Sequence, residues 1–203
     1  MNQKTLFAAT AGLFLSVNAS LLAVTIDFTT DTTGGKANGF TSTQSAVAHF
    51  TDTFGSELQI NDFLSQGIGN ALAVFGDDVS ALQINFDVLM NSLSLKFGND
   101  DPAFSSPGDL AVLTLFNGAT QVGQVSVVMN RDDIMNQTIS FGGTTFNRAT
   151  FQYTNAAGTG IGLIEIVDDI TFEAGGQGTP DSGSTLVLFA VALAGVISFR
   201  RRS

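Results

Sequence analysis

The sequence predicts an all-β protein, a single antiparallel β-sandwich over residues 24–173. Three observations lead there. Residues 92–97 alternate strictly, so Leu93, Leu95 and Phe97 share one face while Ser92, Ser94 and Lys96 share the other. Runs of this kind return about every ten residues, separated by Gly, Asn and Asp, which is the spacing of a sandwich or barrel. The composition leaves little room for helix: 22 Gly and 18 Phe stand beside only 13% charged residues, too few Lys and Glu for long amphipathic helices.

In chain order, strands are expected at 24–28, 46–54, 58–60, 72–75, 82–86, 92–97, 111–116, 121–129, 138–141, 145–153 and 161–172. Asn117 and Gly118 between two of these runs form a hairpin signal, because both residues accept the positive φ of a tight turn. Pro102 and Pro107 mark a loop ahead of that hairpin. Leu113 and Leu115 join Leu93, Leu95 and Phe97 as expected core. Residues 132–137 offer one helical turn at most. The chain holds no Cys, which excludes disulfides, thiolate metal sites and a Cys nucleophile.

Both ends are of another kind. Lys4 precedes an apolar stretch over residues 6–17, and Val17, Asn18 and Ala19 supply residues that a signal peptidase reads, with Ala23 as a second cut. Residues 1–23 therefore form an expected signal helix. At the other end, Gly175, Gly176, Gly178 and Pro180 make residues 174–183 a linker that cannot pack. Residues 184–199 carry no charge and would span about 24 Å as a transmembrane helix, somewhat short of a ~30 Å hydrocarbon core. Arg200, Arg201 and Arg202 make 200–203 a basic cytoplasmic tail, and their side chains can snorkel to make up part of the missing length. A lipid-anchor signal would end on the apolar run instead.

Thr179, Pro180, Asp181, Ser182 and Gly183, a short apolar run and a terminal Arg cluster together resemble the PEP-CTERM family of exosortase sorting signals, in its VPDSG variant with Thr in place of the leading Val. The resemblance covers residues 179–203. It implies recognition by an exosortase-type membrane protease, cleavage near Pro180, Asp181, Ser182 and Gly183, and an inner-membrane intermediate on the way to the cell surface or extracellular matrix. The order of strands resembles the jelly-roll, galactose-binding-like ectodomains that precede such tails. Residues 164–172, with Glu165, Asp168 and Asp169, look like their last strand.

Charge narrows the partners. Of 18 Asp and Glu only Asp181 lies outside residues 24–173, where the basic residues are Lys36, Lys96, Arg131 and Arg148. Such a surface repels phosphate backbones, which argues against nucleic acid. It suits cations or neutral polymers. Acidic pairs recur at Asp77 and Asp78, Asp100 and Asp101, Asp132 and Asp133, and Asp168 and Asp169. Two readings stand: turn-forming residues, and hard oxygen ligands for Ca²⁺. For an ion, Asp27 on the first strand and Asp168 or Asp169 on the last are the partners expected, since jelly-roll termini lie together. No organic cofactor is implied.

For glycan binding, Gln83, Asn85, Arg148, Gln152 and Asn155 can hydrogen-bond sugar hydroxyls, but nothing in the sequence groups them. There is no Trp and one Tyr, Tyr153. For catalysis, the single His49 sits in a strand pattern and no nucleophile elbow accompanies it. The sequence therefore describes an exported, non-catalytic surface or matrix protein associated with exopolysaccharide. A carbohydrate-binding module, with or without calcium, is the second reading, and a secreted glycan-active enzyme the third.

Overall fold

The computed structural model describes residues 23–98 and 102–175. The expected leader up to residue 22, the linker beyond residue 175, the motif at Pro180, Asp181, Ser182 and Gly183, the apolar run and Arg200, Arg201 and Arg202 lie outside the described residues.

The strands are β1 (Val24–Ile26), β2 (Gly34–Gly35), β3 (Ala48–Asp52), β4 (Leu58–Asp62), β5 (Asn70–Val74), β6 (Leu82–Gly98), β7 (Leu110–Asn117), β8 (Thr120–Val128), β9 (Gln137–Thr154) and β10 (Glu165–Ala174). Every pairing between them is antiparallel. One 3-10 turn, Leu64–Gln66, is the only helical element among the described residues, and the turn expected at 132–137 is absent.

Two long strands organise the sandwich. The runs expected at 82–86 and 92–97 are one strand, β6, and those expected at 138–141 and 145–153 are one strand, β9. The first half of β6 lies between β3 and the second half of β9, which continues to β7 and β8. The second half of β6 lies between the first half of β9 and β10, which continues to β5, β4 and β2, with β1 also on β10. The register between β6 and β9 shifts between Asn85 and Met90 and again before Ser92. That irregularity exchanges the inward face: Leu82, Ile84 and Phe86 are buried before it, Leu93, Leu95 and Phe97 after it. Both halves thus feed one core.

That core holds Ile26, Phe28, Phe50, Phe146, Phe151, Tyr153 and Phe172 beside the β6 residues, and Leu113 and Leu115 are buried in it as expected. Phe97, Phe151 and Tyr153 contact one another with centroids 5.4–6.4 Å apart. Each such ring stabilises the fold by about 1.5–3 kcal/mol of burial. The Tyr153 hydroxyl, deep in the core, donates to Gly98 O, which removes the penalty of burying it. A smaller cluster of Phe63, Ile68, Ala71, Ala73, Met135 and Ile166 packs beside it.

Candidate functional site

Inward-facing residues of β3, β6, β9, β7 and β8 leave their neighbours on the opposite face, and cross-strand register arranges those neighbours in rows. One row runs His49, Asn85, Arg148, Phe116 and Gln121. The next runs Thr51, Gln83, Thr150, Thr114 and Gln124. A third joins Gln152, Val112 and Ser126. The face is a sheet of amides and hydroxyls with one guanidinium, carried on five strands whose other side is the core.

Gln83, Asn85, Arg148 and Gln152, scattered in sequence, therefore meet on one surface. Asn155 does not join them; its Oδ1 accepts from the Ala157 and Thr159 amides and closes a turn. A concavity of about 210 Å³ lies over the second and third rows, floored by Thr114, Gln124, Ser126, Thr150 and Gln152. Its polar groups are partly fixed: Gln124 Nε2 donates to Thr114 Oγ1 at 3.0 Å, and Gln152 Nε2 to Val79 O at 2.7 Å. Two are not. Thr154 Oγ1 at the concavity and Arg148 Nε beside it are buried without a hydrogen-bond partner. Such atoms cost about 1–3 kcal/mol each until a ligand or water reaches them. The Arg148 guanidinium lies over the Phe116 ring. His49 Nε2 stands 3.0 Å from Asp87 Oδ1 at the rim, a surface pair.

The acidic residues singled out for calcium lie elsewhere, where β1 meets β10. Asp27 directly follows Ile26, the partner of Ile170. Its carboxylate accepts from the Thr29 hydroxyl and amide and from Gln44 Nε2, and these bonds hold its pKa below the ordinary value. Asp168 is buried with Oδ1 unpartnered. Burial, with smaller contributions from the charges of Asp169 and Asp27, pushes its pKa to about 6. Asp169 turns the other way, at φ 45°, and pairs with Lys96 at 3.7 Å. Asp27 and Asp168 thus feel each other's charge, and Lys96, the register partner of Asp168, supplies the nearby cation. Among the described residues, no three acidic or His side chains converge closely enough to cage an ion as they stand.

Sequence reasoning named four residues of the polar face but missed Thr114, Thr150, Gln124, Ser126 and Phe116. Only the β9 register, which sets β6 on one side and β7 on the other, reveals them.

The fold and face define an all-β sandwich domain with a polar, shallowly concave patch on one face. The chain also carries a sorting tail: residues 180–203 match the VPDSG-CTERM motif, a tail of the PEP-CTERM kind. In fold the chain is similar to the K2 cleaved adhesin domain of Lys-gingipain, at 14% identity and TM-score 0.44, covering 75% of this chain and 98% of that one. It is similar to the CBM22-1 xylan-binding domain of Xyn10C from Paenibacillus barcinonensis, at 8% identity and TM-score 0.43, covering 79% and 97%. It is also similar to the carbohydrate-binding module CBM6cm-2 of lichenase 5A from Cellvibrio mixtus, at 10% identity and TM-score 0.31, covering 77% and 98%. No curated protein matches the chain in sequence.

Proposed function

We propose that this is an exported, non-catalytic protein of the cell surface or extracellular matrix that holds a neutral exopolysaccharide on the outer face of β3, β6, β9, β7 and β8. The observation that carries this reading is the convergence of Gln83, Asn85, Arg148, Gln152, Thr114 and Gln124 in register rows. Amides and hydroxyls match sugar hydroxyls as both donors and acceptors, and the orphaned Thr154 Oγ1 gives a ligand something to satisfy. The concavity is lined without a carboxylate, which suits an uncharged chain.

Delivery follows the two ends of the chain. Signal peptidase acts after Ala19 or Ala23, and an exosortase-type membrane protease acts near Pro180, Asp181, Ser182 and Gly183 while Arg200, Arg201 and Arg202 hold the helix on the cytoplasmic side. Affinity electrophoresis through gels containing the producing cell's own polysaccharide tests the binding half. Retardation of the wild type that is lost in a Thr114→Ala, Gln124→Ala, Gln152→Ala variant of unchanged Tm supports it. Equal mobility of the two proteins in every polysaccharide refutes it.

A further inference from the structure

The layer that carries the polar face has two edges, and they are finished differently. Along β3 the outer backbone groups are taken up. Phe50 N donates to Phe40 O at 2.8 Å, Gly39 N to Phe50 O at 2.8 Å and Asp52 N to Asn38 Oδ1 at 2.9 Å. At the other edge β8 pairs with β7 alone among the described residues. Met129 N donates to Asp109 O, which fixes the phase of that ladder. Gly123, Val125 and Val127 then exchange bonds with β7, while the N–H and C=O groups of Gln124 and Ser126 point away from it. Val128 O, in the same phase as these two, accepts from Gln137 Nε2. Val125 and Val127 pack against the core but stay only half-buried, since no further strand covers this side of the sandwich among the described residues.

An edge strand left open to water is normally guarded by Lys, by Pro or by an inward-pointing charge, each of which stops another strand from adding. The nine residues Thr120–Val128 contain no charged residue and no Pro. They do so in a chain of net charge −10, where two copies meeting elsewhere bring like charges together. Along β8 they meet a neutral strip. We propose that β8 pairs with β8 of a second copy of this chain, antiparallel about Val125. A two-fold axis at Val125 sets Gln124 opposite the partner's Ser126 and Ser126 opposite the partner's Gln124, and each pair exchanges the backbone bonds that β7 leaves unused. On the inner side Val125 meets the partner's Val125, and Val127 falls opposite the partner's Gly123, which has no side chain to obstruct it. On the outer side the row of Thr114 and Gln124 runs on into the partner's Ser126. The polar faces of the two copies become one sheet.

The chain has no Cys, so one introduced thiol reports the contact. A non-hydrogen-bonded antiparallel pair holds its Cα atoms about 4.5 Å apart, within disulfide range. In this pairing the two copies of Thr120 stand roughly 30 Å apart along the strands. Full-length Val125→Cys, oxidised with copper phenanthroline, should form a disulfide-linked dimer about ten-fold faster or more than full-length Thr120→Cys. Ser126→Pro added to Val125→Cys removes an N–H that the fold does not use, so it should abolish the cross-link at unchanged Tm. Equal rates at positions 120 and 125, zero included, overturn the pairing. So does a cross-link that survives Ser126→Pro in a chain that keeps its Tm. If Ser126→Pro lowers the Tm, the contrast between positions 120 and 125 decides alone. Retardation by polysaccharide is a separate measurement, so either proposal can fail without the other.

Discussion

Arg148 and Phe116, register partners on β9 and β7, are stacked, with the guanidinium carbon 4.3 Å from the ring centroid. The ring supports the guanidinium of the polar face, and Arg148 Nε stays buried without a hydrogen-bond partner. Phe116→Ala removes that platform. A cation–π contact at a part-exposed site contributes about 0.5–1 kcal/mol, so polysaccharide affinity is expected to fall about 2–5-fold. Phe116→Tyr is expected to retain it. Binding isotherms of the two variants check this, and equal affinity for all three proteins refutes it.

Asp168 gives stability a pH dependence. Its folded pKa of about 6 stands above the ordinary 3.8, so the folded chain holds a proton that the unfolded chain has released. The associated stability is fully present below about pH 4 and is lost as pH rises toward 6, by about 3 kcal/mol in total. In EDTA, Asp168→Asn should flatten that slope and be more stable than wild type at pH 7 by about 1–3 kcal/mol. Urea denaturation across pH 4–7 measures it; parallel curves for the two proteins contradict it.

Gly98 has no room for a side chain. A Cβ there would lie 2.5 Å from Ile134 O and 2.6 Å from Met135 Cα, both backbone atoms that cannot swing aside. Gly98→Ala should cost about 1–3 kcal/mol by overpacking and lower the Tm by roughly 3–10 °C. It should also disturb the Tyr153 hydrogen bond to Gly98 O, which near-ultraviolet circular dichroism of this single tyrosine would register. An unchanged Tm would mean that the 134–135 segment yields freely.

Replacing Pro180 and Asp181 with Ala should leave membrane insertion intact and block processing, so full-length chain accumulates. Replacing Arg200, Arg201 and Arg202 with Ser removes residues that each resist the bilayer centre by about 2.5–3.5 kcal/mol and should lower processing by letting the segment slip. Mass spectrometry of the C-terminus decides both. A wild type that keeps Ser203, with a Pro180 and Asp181 variant that behaves identically, identifies a plain membrane anchor.

Strand positions were legible because alternation is local: Leu93, Leu95 and Phe97, or Leu113 and Leu115, announce their face within a few residues. Continuity was not. Residues 87–89 are exposed and break the pattern, so β6 looked like two strands, whereas the chain there changes face without leaving the sheet. β2 consists of Gly34 and Gly35, which have no side chains to signal a strand. Gln83, Asn85, Arg148 and Gln152 could be named one by one, but their assembly depends on pairing between residues far apart in the chain. Glu165 looked like an ordinary strand residue, because nothing in its neighbours Ile164 and Ile166 reveals that it is wholly buried.

The continuity of β6 has a mechanical consequence. A pull applied beyond Ala174 enters the domain along β10, which is hydrogen-bonded to the second half of β6. From there the load travels through covalent backbone into the first half of the same strand, where Gln83 and Asn85 stand. It never has to cross the apolar interface between the layers, which resists shear weakly. The polar face and the end of β10 are thus joined by one hydrogen-bonded ladder and then by the continuous backbone of β6. Tension between them should therefore spread along hydrogen-bonded ladders and leave the sandwich closed.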